Sequence, residues 1–287
     1  MTDRHRILHL SDTHLRHPAV DAEAALAGLL HDARHVPALD LVVVSGDLAD
    51  DGSAEGCAGV RDQVGRFCAE RGIPHVYCTG NHDTRAAFTE VFGSGHLAAD
   101  GTDRGQAMPG GTCAAVSHVG GLRVITLDSL VPGEVHGELG PAQLAWLRQV
   151  LAEPAPAGSV VVLHHPPLAV PTSLIMDRVN LRDGAALAAA VRGSDVRAIL
   201  CGHFHLQLSG LLAGVPVWVT PGVVTRIDLS TPPRLERAVL GAAATVVDLG
   251  GPASPLCHVL HARDPRAGEQ VYLVDAVSGQ GAADETS

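Results

Sequence analysis

Short apolar runs alternate with longer stretches of helical periodicity through the first two thirds of this chain. The runs are rich in Val, Ile and Leu, as is typical of buried strands, and lie at 6–10, 41–45, 75–78, 122–127, 159–163, 196–200, 215–220 and 244–249. The helical stretches lie at 21–34, 57–71, 140–153 and 182–193. After about residue 200, strands with Gly and Pro turns dominate, including a hairpin with Ala213-Gly214 at its turn. The pattern predicts a βαβα first half and a mixed α/β sandwich of two sheets.

The length and composition allow one sizeable core. The chain has 287 residues, of which 46% are hydrophobic and only 3% are aromatic, so Ala, Val and Leu must build that core. No internal repeat is visible. We expect a single domain over residues 1–277, followed by a small, polar and disordered tail at 278–287.

The charge and the cysteines exclude several classes of protein. A net charge of −11, with no run among the 20 Lys and Arg residues, argues against a protein that binds the backbone of a nucleic-acid duplex. The six cysteines lack CxxC spacing and lie mostly in apolar segments, which predicts reduced core cysteines. Neither a signal peptide nor a membrane span is recognisable in the sequence, so we expect a cytoplasmic protein.

Polar side chains follow five of the predicted strands at the point where each strand ends. They are Asp12 and His14, then Asp47, then Asn81, His82 and Asp83, then His164 and His165, and finally His203 and His205. In an open α/β sheet, ligands bind beyond the carboxyl ends of the strands. We therefore expect these side chains to converge on one pocket.

The residue types at these strand ends are those of a metal centre. Carboxylates, an amide oxygen and imidazoles, without a thiolate, suit Mn²⁺, iron or Zn²⁺. Seven candidates are too many for one ion, whereas a bridging Asp47 would give each of two ions four protein ligands; the seven are Asp12, His14, Asp47, Asn81, His164, His203 and His205. Each element alone has an ordinary explanation as a helix cap, a turn or a chance His-x-His. Their joint occurrence favours the metal site.

The same residues resemble the calcineurin-like metallophosphoesterases. The family pattern D-x-H, G-D, G-N-H-[DE], H and G-H-x-H is matched at 12–14, 46–47, 80–83, 164 and 202–205. The resemblance implies a four-layer sandwich of two mixed β-sheets flanked by helices, and two divalent or trivalent metal ions, with iron and manganese expected and zinc as a further candidate. It assigns Asp12, His14 and His205 to one metal, Asn81, His164 and His203 to the other, and Asp47 to both.

The subfamily signal is in "GNHDTRAAF", "LDSLVPGEVHGELGPAQLAWL" and "LHHPP". These segments resemble the class III cyclic-nucleotide phosphodiesterases and the similar glycerophosphodiesterases, in which Arg85 and Phe88 have counterparts. The resemblance favours His164 as the ligand and leaves His165 to pack or to hydrogen-bond beside it, although the residues alone leave the reverse open. It also suggests a homo-oligomer.

The expected activity is hydrolysis of 3′,5′-cyclic nucleotides, cyclic AMP above all. The alternatives are a diesterase for glycerophosphodiesters or other small diesters and, from a different class, a non-catalytic scaffold of the same fold. The small phosphodiester would contact Asn81 and His82. A hydroxide bridging the two metals would be the nucleophile, and His82 would act as the general acid or as a hydrogen-bond donor.

Three further expectations concern the surroundings of the site. Asp83 would orient His82 or cap the next helix, and Gly46 and Gly80 would let the backbone pass close to the metals. Substrate selection would come from the loops at 48–56, 129–137 and 166–180. In the last of these, Leu174, Ile175 and Met176 would line a base or acyl pocket, or else serve loop packing or an oligomer contact; His136 has no assigned role.

Overall fold

The computed structural model describes residues 4–278. The strands are β1 (His5–Leu10), β2 (Leu41–Ser45), β3 (His75–Cys78), β4 (His96–Leu97), β5 (Gln106–Ala107), β6 (Ala115–Val119), β7 (Leu122–Thr126), β8 (Ser159–Val162), β9 (Val196–Cys201), β10 (Leu208–Leu212), β11 (Val215–Val219), β12 (Thr225–Asp228), β13 (Leu235–Leu240), β14 (Ala243–Leu249), β15 (Leu256–His261) and β16 (Gln270–Asp275). The helices are α1 (Ala22–Ala33), α2 (Ala54–Ala69), α3 (Arg85–Phe92), α4 (Gly140–Val150), α5 (Met176–Val179) and α6 (Gly184–Val191). The predicted tail, apart from Ser278, lies outside the described residues.

The first sheet has six strands in the order β15-β14-β1-β2-β3-β4. Its central strands β1, β2 and β3 are parallel, with Leu10 opposite Val44 and Val44 opposite Tyr77. Their carboxyl ends therefore lie at the same edge of the sheet. The βαβα order predicted for the first half is confirmed.

The second sheet has seven strands in the order β10-β11-β9-β8-β7-β6-β5. Strands β7, β8, β9 and β11 run parallel to one another, so this sheet also presents several carboxyl ends at one edge. The predicted hairpin is confirmed as β10 and β11, which pair antiparallel. Its turn residues Ala213 and Gly214 both have positive φ, 52° and 88°, as a two-residue turn of the I′ type requires.

Alternating side chains of the strands divide the core into layers. Leu8 and Leu10 of β1 point into a cluster with residues of α1, α2 and α3, whereas Ile7 points into a cluster shared with β7, β8 and β9. On the far side, β8 and β9 pack against α4 and α6, for example through Val161. Two face-to-face sheets with helices outside are the predicted four-layer sandwich, which is confirmed.

A third, smaller sheet was not predicted. Strands β12, β13 and β16 form it in the order β12-β13-β16, with antiparallel pairing throughout. The prediction missed it because polar residues interrupt these strands; β12 reads Thr-Arg-Ile-Asp. Helices α3 and α5 were also missed, since eight and four residues are too few to show a helical period.

Three smaller expectations concern the state of the cysteines, the start of helix α2 and the presence of membrane spans. All six cysteines are free and five of them are buried, which confirms the absence of a disulfide framework. Predicted helix 57–71 begins earlier, at Ala54, because the Ser53 side chain accepts a hydrogen bond from Gly56 N at 3.1 Å and caps the helix. Within 4–278 no helix combines the length and the apolar character needed to cross a bilayer.

Candidate metal centre

The polar residues that follow the strands lie where the carboxyl ends of the two sheets meet. Asp12 follows β1, and its backbone N–H donates to the carbonyl of Gly46, which follows β2, at 3.0 Å. This bond holds the two strand ends together. Across the sandwich, His164 Nδ1 donates to the Ser45 carbonyl at 2.7 Å. The parallel strand ends of both sheets therefore supply side chains to one place, as the sequence predicts.

Five of the seven candidate ligands have a left-handed backbone conformation. Their φ angles are 55° for Asp12, 40° for His14, 49° for Asp47, 69° for His203 and 48° for His205. Such conformations are uncommon outside glycine and cost about 1–3 kcal/mol each. Strain concentrated in these residues, and held by the surrounding structure, is typical of a functional site.

Asp12, His14 and His205 form the first group of candidate ligands. Their ligand atoms lie within 4.8 Å of one another, and His205 Nε2 is 3.2 Å from Asp12 Oδ1. The His203 backbone N–H donates to both carboxylate oxygens of Asp12 at 3.1 Å, which orients the carboxylate. These three side chains are the set assigned to one metal by the resemblance.

Asp47 lies between the two groups of ligands. Its Oδ2 is 3.2 Å from His164 Nε2 and 3.5 Å from His14 Nε2, so one carboxylate oxygen faces imidazoles of both groups. A Cβ on Gly80 would overlap the Asp47 carboxylate, and Gly46 has φ of 92°. The two glycines therefore allow the close backbone approach that was expected of them.

The second group contains His164 and His203, with His165 beside them. Ligand atoms of these three histidines lie within 4.8 Å of one another. Because His203 Nε2 donates to the Val179 carbonyl at 3.0 Å, its Nδ1 is the nitrogen left for a ligand role. His165 differs from His164 in that its Nδ1 lies 2.7 Å from Ser129 Oγ, on the side of the 129–137 loop. Asn81 lines the same cavity as His203.

Three of the imidazoles are oriented by partners on Nδ1. His14 Nδ1 donates to Asp50 Oδ1 at 3.0 Å, and His205 Nδ1 lies 2.6 Å from Thr225 Oγ1. His164 Nδ1 donates to a backbone carbonyl. In each ring the bond on Nδ1 leaves Nε2 as the nitrogen that faces the carboxylates, which is how metal-binding histidines are usually held.

Several atoms at the centre are buried without a hydrogen-bond partner among residues 4–278. They include His14 Nε2, Asn81 Oδ1, His164 Nε2 and His165 Nε2. A buried polar atom without a partner is costly, so such atoms are rare in folded proteins. The first three are candidate metal ligands, and together with the carboxylates of Asp12 and Asp47 they form a donor set that suits a pair of divalent ions.

The electrostatics of these side chains also favour a cation at the site. Burial lowers the pKa of His164, but the carboxylates of Asp47 and Asp12 and the Ser45 carbonyl together outweigh burial and raise the pKa to about 9. Burial raises the pKa of Asp47, but His164, His14 and His82 together outweigh that effect and hold the pKa well below its usual value. A proton thus supplies positive charge beside two buried carboxylates, and a bound metal would take over that role.

His82 lies at the rim of the cavity rather than at its centre. Its side chain is 38% exposed, its Nδ1 donates to the Asp50 carbonyl at 3.0 Å, and its ring centroid is 4.6 Å from that of His14. Burial lowers the pKa of His82, but the charge of Asp47 contributes to a net rise. This position leaves one face of the ring open to a substrate.

Asp83 has a different role from the one predicted. Thr84, not Asp83, caps α3, with its hydroxyl accepting from Ala87 N at 3.3 Å. Asp83 instead accepts from the backbone N–H groups of Leu48 at 3.0 Å and Gly80 at 2.8 Å. It therefore ties the loop after β2 to the loop after β3, and it is Asp50 that contacts the imidazole of His82.

Sequence reasoning missed Asp50 and Thr225 as partners of the ligands. Asp50 lies three residues after Asp47 in the acidic segment "GDLADD", and that spacing was the available signal. Thr225 begins a strand of the unpredicted third sheet, so nothing in the local sequence placed it beside His205.

Of the other residues singled out in the sequence, some have structural roles and some line the cavity. Arg85 Nε donates to the buried Asp128 at 2.6 Å, and Phe88 is fully buried in the core. Leu174 is 45% exposed, whereas Ile175 and Met176 line the cavity. The lining of the cavity thus comes partly from the 166–180 loop, as expected.

Comparisons with known proteins agree with this geometry. The sequence model of the calcineurin-like phosphoesterase family matches residues 5–207. The chain is 39% identical over 245 residues to a "Probable cyclic nucleotide phosphodiesterase" of Rhodococcus erythropolis, covering 83% of this chain and 77% of that protein. It is 39% identical over 232 residues to a cAMP/cGMP dual specificity phosphodiesterase of Mycobacterium tuberculosis, covering 78% of this chain and 69% of that protein.

A solved structure shares the fold at low identity. It is GAP50, the anchor in the inner membrane complex of Plasmodium, with a TM-score of 0.55, 10% identity and coverage of 96% of this chain and 92% of that one. The family match covers more than half of the chain and includes every strand end of the centre. The protein belongs to the calcineurin-like phosphoesterase family.

Proposed function

We propose that this protein is a metal-dependent phosphodiesterase that hydrolyses 3′,5′-cyclic nucleotides. The observation that carries the proposal is the approach of His14 Nε2 and His164 Nε2, both without a hydrogen-bond partner, to Asp47 Oδ2 at 3.5 Å and 3.2 Å. Asp47 and Asn81, whose Oδ1 is also unpartnered, line a cavity that has an apolar part as well. The two relatives named as cyclic nucleotide phosphodiesterases support this choice of substrate.

The ligand assignment is part of the proposal. Asp12, His14 and His205 would hold one ion, Asn81, His164 and His203 the other, and Asp47 would contact both. Two divalent ions in such a site supply positive charge to the phosphoryl oxygens and activate water. His165, whose Nδ1 is engaged with Ser129, would support the second group without being a ligand.

The protein's own groups would position the diester and handle the leaving group. In hydrolysis of a 3′,5′-cyclic phosphate the P–O3′ bond breaks, water adds its hydroxyl to phosphorus, and O3′ takes up a proton. In its protonated form His82 is placed to give that proton from Nε2, because Nδ1–H is held by the Asp50 carbonyl and Nε2 is the nitrogen left for the cavity. The proton that the attacking water releases leaves to solvent, from which His82 is protonated again. Such proton transfer contributes about 10²–10⁴ in rate.

The test is hydrolysis of cyclic AMP and cyclic GMP by the purified, Mn²⁺-loaded protein. Bis(p-nitrophenyl) phosphate and a glycerophosphodiester serve as comparison substrates, and Asn81→Ala as the site variant. Replacement of His136, which does not line the cavity, by Ala is the matched control. Efficient cleavage of a cyclic nucleotide that is lost in Asn81→Ala supports the proposal.

Two outcomes would contradict the proposal. Cleavage of the model diester or the glycerophosphodiester without cleavage of either cyclic nucleotide would leave the metal centre right and the substrate wrong. Absence of bound metal in the purified, active protein would exclude the centre itself.

Several finer points stay predictions within this proposal. They are iron and manganese as the metals, with zinc as a further candidate, a single domain over 1–277, a homo-oligomeric state and a cytoplasmic location. Metal analysis of the protein purified without added metal, and light scattering, test the first and third of these.

A further inference from the structure

The three-stranded sheet of β12, β13 and β16 presents one face to the cavity of the metal centre. Residues directly opposite in neighbouring strands share a face, and the pairs are Ile227 with Ala238, Ala238 with Tyr272, and Glu236 with Val274. Apart from the buried Ala238, these side chains line a cavity of about 590 Å³ that His14 and His205 also line. That volume is typical of a site for a small molecule.

This sheet is tied directly to a candidate metal ligand. His205 Nδ1 lies 2.6 Å from Thr225 Oγ1, and the Ile227 backbone N–H donates to the His205 carbonyl at 3.1 Å. A group bound against the sheet would therefore be held at a defined position relative to the metal centre.

Tyr272 is the aromatic surface in this cavity. Of the Phe, Tyr and Trp side chains in the described part of the chain, it alone lines the cavity, and it is 36% exposed. Its hydroxyl donates to Glu236 Oε1 at 3.1 Å, which anchors the outer end of the ring. An anchored ring loses little further side-chain freedom when a flat group stacks on it.

Apolar side chains from two loops complete the lining near this sheet. Val135 comes from the 129–137 loop, and Ile175, Met176 and Val179 come from the 166–180 loop and α5. A cavity with a metal centre and an apolar, aromatic lining suits a ligand that has both an anionic group and a flat, weakly polar group.

The charges in this part of the lining favour a weakly polar group over a second anionic group. Glu236 and Asp275 contribute two carboxylates, of which Asp275 lies 3.4 Å from Arg234 Nη1. Arg178 contributes one guanidinium, whose Nη1 donates to the Ala276 carbonyl at 3.0 Å. We propose that the face of the three-stranded sheet is the nucleobase-binding wall of the active site, with Tyr272 as its stacking surface. This rests on the proposed function in one respect, namely that the phosphate of the nucleotide occupies the metal centre.

The test compares two competitive inhibitors of bis(p-nitrophenyl) phosphate hydrolysis by the Mn²⁺-loaded protein. 5′-AMP carries a base, whereas ribose 5-phosphate carries the same phosphate and sugar without it. The ratio of their inhibition constants, ribose 5-phosphate over 5′-AMP, therefore measures the contribution of the base alone. Where hydrolysis by a variant is too slow to measure, dissociation constants from calorimetry give the same ratio.

Tyr272→Ala should lower this ratio about 5- to 100-fold, because stacking of one base on an aromatic side chain contributes that much binding. Tyr272→Phe, the matched control, keeps the ring and should keep the ratio within about twofold of the wild type. Glu236→Gln keeps an acceptor for the Tyr272 hydroxyl, and Glu236→Ala removes only the hydrogen bond that Tyr272→Phe also removes, so both variants should behave like the control.

A ratio near one for the wild-type protein, or an unchanged ratio in Tyr272→Ala, would overturn the proposal. The measurement does not require cyclic nucleotide hydrolysis. If the wild-type protein fails to cleave cyclic AMP and cyclic GMP but Tyr272→Ala still lowers the ratio of inhibition constants, the proposed function is disproved and the nucleobase wall is supported.

Discussion

Asp50 Oδ1 accepts a hydrogen bond from Nδ1 of His14 at 3.0 Å, and neither residue's partner could be assigned from the sequence. The bond fixes the tautomer of His14, so that Nε2 carries the lone pair and faces Asp47 at 3.5 Å. The carbonyl of the same Asp50 holds His82. One residue thus orients a candidate metal ligand and the candidate proton donor.

Replacing Asp50 by Ala should weaken binding of one metal ion about 10- to 100-fold, because the partner that orients His14 is lost. Activity at low Mn²⁺ should fall accordingly and recover in part at high Mn²⁺. A titration of activity against Mn²⁺ measures both effects. Asp50→Asn keeps an acceptor oxygen, so its Mn²⁺ dependence should lie between those of the wild type and Asp50→Ala. An unchanged Mn²⁺ dependence in Asp50→Ala would show that Asp50 does not act through His14.

Replacing Asp83 by Ala should lower the free energy of unfolding by about 2–4 kcal/mol, because buried backbone N–H groups of Leu48 and Gly80 lose their acceptor. Urea denaturation of the metal-free protein measures the loss. Asp62→Ala, at an exposed position, is the control and should change stability by less than about 0.5 kcal/mol. Equal stability of the Asp83 and Asp62 variants would contradict the bracing role.

Arg85 should matter for stability rather than for substrate binding. It pairs at 2.6 Å with the buried Asp128, so Arg85→Ala leaves a buried carboxylate without its cation and should cost about 3 kcal/mol of unfolding free energy. The KM of the folded enzyme should stay within about twofold of the wild type. Arg61→Ala, which breaks an exposed pair with Asp62, is the matched control. A large rise in KM for Arg85→Ala would place Arg85 at the substrate.

His96 should make the protein sensitive to mild acid. It is buried between Ser117 Oγ at 2.6 Å and Thr126 Oγ1 at 2.9 Å, and burial lowers its pKa to about 3. The unfolded chain, with a His pKa near 6.5, then binds one more proton than the folded protein between about pH 6.5 and pH 3. The free energy of unfolding must therefore fall as the pH falls, by about 1.4 kcal/mol per unit for this residue.

His96→Gln removes the imidazole that binds this proton in the unfolded chain. The variant should be less stable than the wild type at pH 7.5, but the difference should shrink by about 1.4 kcal/mol per unit between pH 6 and pH 4. Urea denaturation of both metal-free proteins across this range measures it. A difference that does not change with pH would mean that His96 is protonated in the folded state.

The candidate site was largely predictable because its residues come directly after strands, and strands are recognisable from local sequence. Val and Ile runs placed the ends of β1, β2, β3, β8 and β9 to within one residue, and parallel strands bring their ends to one edge. Asp12, Asp47 and His164 could therefore be expected together before their separation in space was known.

The sequence by itself thus determined the two-sheet sandwich and the set of metal-ligating residue types, since both depend on local periodicity and on the residue types at the end of each strand. Only the tertiary structure decided which partners orient the side chains of the site and of its surroundings. Asp83 reaches Leu48 across 35 positions, Arg85 reaches Asp128 across 43, and Tyr272 reaches Glu236 across 36. Contacts of that separation leave no periodic trace in the chain, because they are created by the packing of elements whose relative position local sequence does not encode.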